Sequence, residues 1–297
     1  IHTYPSLDQI VQAVASSEVT ATAELSASYR DQFPTELIYE KQTAIASGVF
    51  AFLNVTSGLL NNVTVRQAIR QGINIDEIRS VLDYEFPLDY PILESEIELK
   101  TYPELPAYNL DAAKQKIAAA GLAGQTLRLA TINTGYFPAL AEQFQTQLTE
   151  LGFSVKVDIY TPSQEFLLNV VQARNYDILL YEVELGADPD PFPYYHSSQA
   201  SSSGLNLSNY ANSLVDDLIL GARTSMNPDT RTAKYENFLT RWVDDVPAIG
   251  IYQASMVYYF NKNVRTFSED DRLVYPVDRF GDVEYWAVDR ATKNRTP

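Results

Sequence analysis

Between residues 109 and 183 the chain alternates helix and strand patterns, and this alternation leaves it few folds to adopt. Asn109 predicts the cap of a helix running through Ala120, with Gly121 ending it in the left-handed conformation. Residues 127–132 read as a strand. Phe137, Leu140, Ala141, Phe144, Leu148 and Leu151 form a helical stripe that Gly152 stops. Phe153, Val155, Val157 and Ile159 then alternate with Ser154, Lys156, Asp158 and Tyr160, the pattern of a half-buried strand. Thr161-Pro162-Ser163-Gln164 reads as a capping box with proline at the first helical position, opening a helix to about residue 174. Residues 176–183 are nearly continuous in apolar character, as expected of a strand covered on both faces. The run strand, helix, strand, helix, strand predicts an α/β layer with right-handed crossovers. Ligands of such sheets sit beyond the carboxyl ends of the strands. The strand over 176–183 opens there into Glu184-Leu185-Gly186-Ala187-Asp188-Pro189-Asp190-Pro191.

The flanks carry weaker patterns. Ser6 predicts the cap of a helix with Leu7, Ile10, Val11 and Val14 on one face. Residues 19–25 and 48–54 read as strands, and residues 64–82 as one helix. Residues 86–106, rich in Pro, Tyr and Glu, read as a long ordered loop that either serves the site or wraps the surface. Asn212 predicts the cap of a helix carrying Leu214, Val215, Leu218 and Ala222. Asn227-Pro228 starts another, with Tyr235, Phe238, Leu239 and Trp242. After Pro247, residues 248–260 form a long strand-like run.

Charge and composition narrow the function. The net charge is −16, with 38 acidic and 22 basic residues, which argues against nucleic acid as a partner. Cysteine is absent, so nucleophilic catalysis by a thiol is excluded. The two histidines, His2 and His196, offer no metal cluster, and there is no phosphate-binding glycine loop or nucleophile elbow. The sequence therefore calls for no cofactor and no metal. No stretch approaches the roughly 20 apolar residues of a membrane helix. Twenty tyrosines suit both packing at sheet ends and a recognition surface. Sequons at Asn54, Asn62, Asn206 and Asn294 matter only in a glycosylating host.

Several motifs resemble the extracellular solute-binding proteins of family 5, which includes dipeptide, oligopeptide and nickel binders. They are Asn61-Asn62-Val63-Thr64-Val65-Arg66-Gln67-Ala68-Ile69, the segment from Tyr108-Asn109 to Gly121, and Tyr176-Asp177-Ile178 leading to Gly186-Ala187-Asp188-Pro189-Asp190-Pro191-Phe192. Tyr194-Tyr195-His196-Ser197-Ser198-Gln199 and Val246-Pro247-Ala248-Ile249-Gly250-Ile251-Tyr252 complete the series. The resemblance implies a periplasmic-binding-protein-like (type II) α/β fold with a mixed sheet flanked by helices, of which this chain is the C-terminal lobe. Residues 1–247 would form the ligand-binding lobe. Residues 248–297 would be a crossing strand and tail returning to an N-terminal lobe that lies upstream with the signal sequence and lipid anchor. The implied protein is not an enzyme. It is an extracytoplasmic component of an ABC importer that captures peptides between two lobes and delivers them to a membrane permease.

The same resemblance points to site residues. Burying a peptide's ammonium group requires a carboxylate beside it, and by position that is Asp188, with Asp190 as the next candidate. Either aspartate, standing before a proline, also suits a plain turn. Tyr194, Tyr195 and His196 would wall a side-chain pocket or pack beneath the loop, and Tyr252 would face the cleft. Relatives place Trp before the turn where this chain has Glu184-Leu185, which leaves the solute class open. An oligosaccharide or other small solute on the same fold is one alternative. A hydrolase using Asp188 and Asp190 as paired carboxylates is another.

Overall fold

The structure, a computed structural model, describes residues 2–22, 33, 38–82, 86–94, 96–266 and 273–289. The chain divides into two compact units, one of residues 47–82 and 87–252, the other of residues 1–46, 83–86 and 253–297.

Polar caps set most helix starts. Ser6 accepts from Gln9 N to begin α1 (Leu7–Ala15), and the long strand β1 (Ile38–Leu53) follows. The single helix expected over residues 64–82 is two helices, α2 (Val63–Gly72) capped by Asn62 and α3 (Ile75–Arg79) capped by Asn74. The break arises because Ile73 and Asn74 take extended backbone, and Gln147 supplies the acceptor for Asn74 N at 2.7 Å. β2 (Phe86–Pro87) is short. Asn109 caps α4 (Leu110–Ala119), and Gly121 follows at φ 72°. Next come β3 (Thr126–Ile132), α5 (Phe137–Glu150) and β4 (Ser154–Tyr160), with Gly152 at φ 113° between the last two.

The following helix, α6 (Gln164–Phe166), continues as a π-helical turn over Leu167–Gln172. Its cap is Ser163, which accepts from Phe166 N, so the capping box expected from Thr161 with Pro162 inside the helix is displaced by two residues. β5 (Ile178–Glu184) leads to the short α7 (Phe192–Tyr195). Asn212 and Asn227 cap α8 (Ser213–Thr224) and α9 (Pro228–Asp245). The inward stripe of α8 is Val215, Ile219 and Ala222; the expected Leu214 is exposed and Leu218 is only half-buried. β6 (Ala248–Asn261) and the paired strands β7 (Val264–Arg265) and β8 (Ala287–Val288) complete the order.

The main sheet has the order β2-β6-β1-β5-β3-β4. β3 runs parallel to both β4 and β5, as the alternating pattern requires, while β1 pairs antiparallel with β5, so the sheet is mixed. Residues 178–180 of β5 are buried on both faces. Beyond them Glu182 and Glu184 are exposed while Val183 stays buried, so β5 turns into a half-exposed strand just where it delivers its carboxyl end.

In the unit containing residues 1–46, α1 packs Val11 and Val14 against Phe33, Ile38, Val257 and Tyr259, with the Phe33 and Tyr259 rings stacked at 4.3 Å. The strand expected over 19–25 is reduced to one bridge, Ala21 with Phe260; its last three residues lie outside the described residues.

In the other unit, residues 87–94 and 96–99 bury Leu88, Ile92, Leu93 and Leu99. Arg79 staples this segment to β6: its Nε donates to Ile251 O at 2.7 Å, and Nη2 donates to Leu88 O at 3.1 Å and to Asp89 Oδ1 at 2.7 Å. Gly250 makes the crossing feasible, because a Cβ there would stand 2.4 Å from Leu88 O. Gly250→Ala should therefore destabilise the protein by about 1–3 kcal/mol in urea unfolding, the usual cost of overpacking. Gly58→Ala, with nothing within 4 Å of the new Cβ, should not.

Candidate ligand-binding turn at the carboxyl end of β5

β5 ends at Glu184, and Gly186 turns the chain at φ 75° into Asp188-Pro189-Asp190-Pro191. Each proline locks its own φ, so the turn is stiff before any side chain acts. Two arginines then hold it. Arg231, from α9, donates through Nη2 to Asp188 Oδ1 and lies over the Tyr235 ring at 5.5 Å. Arg223, from α8, places Nε 3.2 Å from Asp190 Oδ2 and lies over the Phe192 ring at 4.7 Å. Asp190 also accepts from Phe192 N at 3.2 Å, which starts α7.

The two aspartates differ in what they offer a ligand. Asp190 is committed on both oxygens, and its side chain is 21% exposed. The Asp188 side chain is 65% exposed, and Arg231 engages only Oδ1. Asp188 lines a depression of about 520 Å³ together with Glu96, Glu98 and Met226, which is 97% exposed.

The aromatic residues after the turn pack inward. Tyr194 is buried and its hydroxyl donates to Glu184 O, closing the loop on the strand that feeds it. Tyr195 is fully buried against Phe238 and Trp242, with ring centroids at 5.8 and 6.3 Å. Burial pushes its hydroxyl pKa upward. His196 lies on Phe192 with centroids 4.2 Å apart, and its Nδ1 accepts from Ser198 N at 3.1 Å. Asp216 of α8 accepts from Ser197 N at 2.8 Å and from the Ser197 hydroxyl, tying the segment after α7 to α8. Tyr252 is buried on β6, edge-on to Tyr136 at 6.3 Å, and does not line the Asp188 depression.

Among the expected residues, then, Asp188, Asp190, Tyr194, Tyr195 and His196 fall on one continuous turn, and Tyr252 stands elsewhere. The sequence gives no sign of Arg223 or Arg231 as residues of the site, nor of Asp216, in the family-like Val215-Asp216 helix, as the partner of Ser197. They sit 33, 43 and 19 residues from their partners, and no local spacing links them. Among the described residues no group of three or more His, Asp or Glu side chains is arranged to hold a metal. No helix among them is long and apolar enough to cross a membrane. Two sequon asparagines, Asn54 and Asn206, are buried and hydrogen-bonded, which bars them as glycan acceptors in the folded chain.

Since Tyr195 is core, Tyr195→Ala should cost about 3–5 kcal/mol, as for other large aromatics. Arg231→Ala should cost under about 1 kcal/mol, because its ion pair is partly exposed. Urea denaturation of both variants separates the packing role from the turn-holding role.

The sequence pattern of bacterial extracellular solute-binding proteins, family 5 middle, matches residues 1–206. No curated protein sequence matches the chain. Among solved structures, the ABC transporter substrate-binding protein CtaP from Listeria monocytogenes is similar, with a TM-score of 0.83 and 19% identity over 97% of this chain and 59% of that one. The periplasmic binding protein DppA from Helicobacter pylori, solved with the peptide STSA, has a TM-score of 0.79 and 22% identity over 97% of this chain and 56% of its own. NikZ from Campylobacter jejuni, solved with Ni(L-His), has a TM-score of 0.77 and 18% identity over 94% of this chain and 59% of its own. The chain spans 56–59% of the length of these three proteins. At such identities the structural likeness is one of fold, that of periplasmic binding proteins, while the sequence match covers more than half of the chain. The chain belongs to family 5 of the bacterial extracellular solute-binding proteins, a family of binders and not of enzymes.

Proposed function

We propose that this chain supplies one lobe of the solute-binding component of an ABC importer, and that the solute is a peptide. The observation that carries the reading is the exposed Asp188 carboxylate at the carboxyl end of β5, in a chain of this family. Asp188 receives the ammonium group of the ligand on Oδ2, while Arg231 keeps hold of Oδ1. A carboxylate shared in this way is aimed before the ligand arrives, which lowers the ordering cost of binding. Asp190, Tyr194, Tyr195 and His196 hold the turn in place, and Tyr252 supports Tyr136. Main-chain hydrogen bonds, common to all peptides, supply the rest of the affinity. Relatives solved with the peptide STSA and with the dipeptide Met-Leu support this solute class.

In the same reading a second lobe closes over the ligand about a hinge, and residues 248–297 return toward it. The assembled protein is held at the outer face of the membrane by a lipid anchor on that lobe and delivers its ligand to the permease. One lobe offers part of the contacts, so this chain alone binds peptide weakly.

Native mass spectrometry of the protein made from its complete reading frame tests the proposal. A ladder of bound masses matching short peptides is expected. Asp188→Ala should weaken peptide binding about 10–100-fold, the scale of a hydrogen bond to a charged group, with an unchanged melting temperature. A single bound sugar mass would replace the solute class, and tight peptide binding by the present chain alone would refute the two-lobe account.

A further inference from the structure

In the unit that holds α1 and the chain from residue 253 onward, one buried charge stands without a partner. Arg279 is 5% exposed, and its Nε and Nη2 are buried without a hydrogen-bond acceptor. Its guanidinium lies against two rings, Tyr258 at 5.5 Å and Trp286 at 4.8 Å. Among the described residues no carboxylate forms an ion pair with it. The aspartates flanking it in sequence are engaged elsewhere. Asp278 accepts from Val274 N at 3.1 Å and from Tyr275 N at 2.8 Å, and Asp282 accepts from Trp286 Nε1 at 2.8 Å. Contact with ring faces offsets part of the cost of desolvating a guanidinium. An unpaired buried charge is still costly, and proteins meet that cost with a counterion. The buried hydroxyls of Thr22 and Thr43, in the same unit, also lack partners.

Trp286 is half-buried, and it also lines a depression of about 510 Å³ in this unit. Phe280 and Val283 share that surface, and Val283 is 50% exposed, so apolar area there stands open to water. Thr22 is among the lining residues, as are His2 and Tyr4. Polypeptide leading into residue 2 therefore arrives at this depression. The chain matches 56–59% of the length of three solved relatives, whose remaining structure has no counterpart here.

We propose that this depression seats a segment of the second lobe, and that a carboxylate of that segment pairs with Arg279. An apolar side chain of the segment lies on Phe280 and Val283, and the carboxylate reaches the guanidinium past the edge of the Trp286 indole. Nε and Nη2 present their hydrogens on one side of the guanidinium, the fork that holds a carboxylate through two parallel bonds. The proposal rests on the two-lobe reading and not on the identity of the solute.

Photo-crosslinking of the protein from its complete reading frame, with p-benzoylphenylalanine in place of Val283, tests the pairing. Peptide mapping after irradiation should join position 283 to a segment upstream of residue 1 that carries Asp or Glu. The Asn261 amide, which donates to Thr20 O at 2.8 Å, reports on the same unit. Arg279→Gln, and separately the amide in place of the upstream acid, should each speed hydrogen exchange there about tenfold or more, as the breaking of a buried pair does. The two changes together should speed it no further than either alone, because both remove one interaction. A cross-link within residues 1–297 or to a second copy, an upstream segment without an acid, no cross-link, or additive effects would overturn the proposal. If Arg279→Gln does not fold, the cross-link, made with Arg279 intact, decides. Peptide binding is read separately. An upstream cross-link in a protein that takes no peptide would remove the peptide reading and leave the pairing, and bound peptide without that cross-link would do the reverse.

Discussion

Asp177 is the residue on which the arrangement of the sheet depends. Its carboxylate accepts from Arg128 N of β3 at 2.8 Å and from the Ser57 hydroxyl, and its backbone exchanges hydrogen bonds with Arg128 O and Asn54 N at 3.0 and 2.8 Å. Asn54 completes the junction by donating to Tyr176 O at 3.1 Å and Arg174 O at 3.2 Å. These bonds join the end of β1, the start of β3 and the entry to β5. A slip of one residue in β5 would exchange its two faces. It would also strand polar groups in a region where an unmet hydrogen bond is costly. The register set at this entry determines which residues emerge seven positions later at the exit.

At the exit the geometry follows from strand direction. β3, β4 and β5 are parallel, so their carboxyl ends share one side of the sheet, and the turn carrying Asp188 opens there. The arginines of α8 and α9 hold that turn through partly exposed ion pairs, each worth little to stability. Their effect is positional. One carboxylate is consumed in building the turn, and the other is left half free. With Asp190 engaged on both oxygens, the pair does not offer the two working carboxylates that must flank a bond in hydrolysis.

Acidic residues gather beside the turn, with Glu96 and Glu98 lining the same depression as Asp188. This is in keeping with the net charge of −16 of the whole chain.

The sequence by itself determined most of the helix starts and the parallel core. Asn109, Asn212 and Asn227 cap the helices they were expected to cap, and the alternation from 109 to 183 becomes three parallel strands, because caps and periodicity act over a few residues. The turn after β5 was legible for the same reason, as a loop at a strand's carboxyl end, whereas Asp188 within it was singled out only by the family resemblance. Only the tertiary structure decided the break at Ile73-Asn74, which Gln147 stabilises from a distant helix, and the shift of the α6 cap to Ser163. It also decided that Tyr195 belongs to the core and that Arg231 and Arg223 hold the turn. Those facts depend on contacts between residues far apart in the chain, and no local pattern encodes a partner that folding alone brings near.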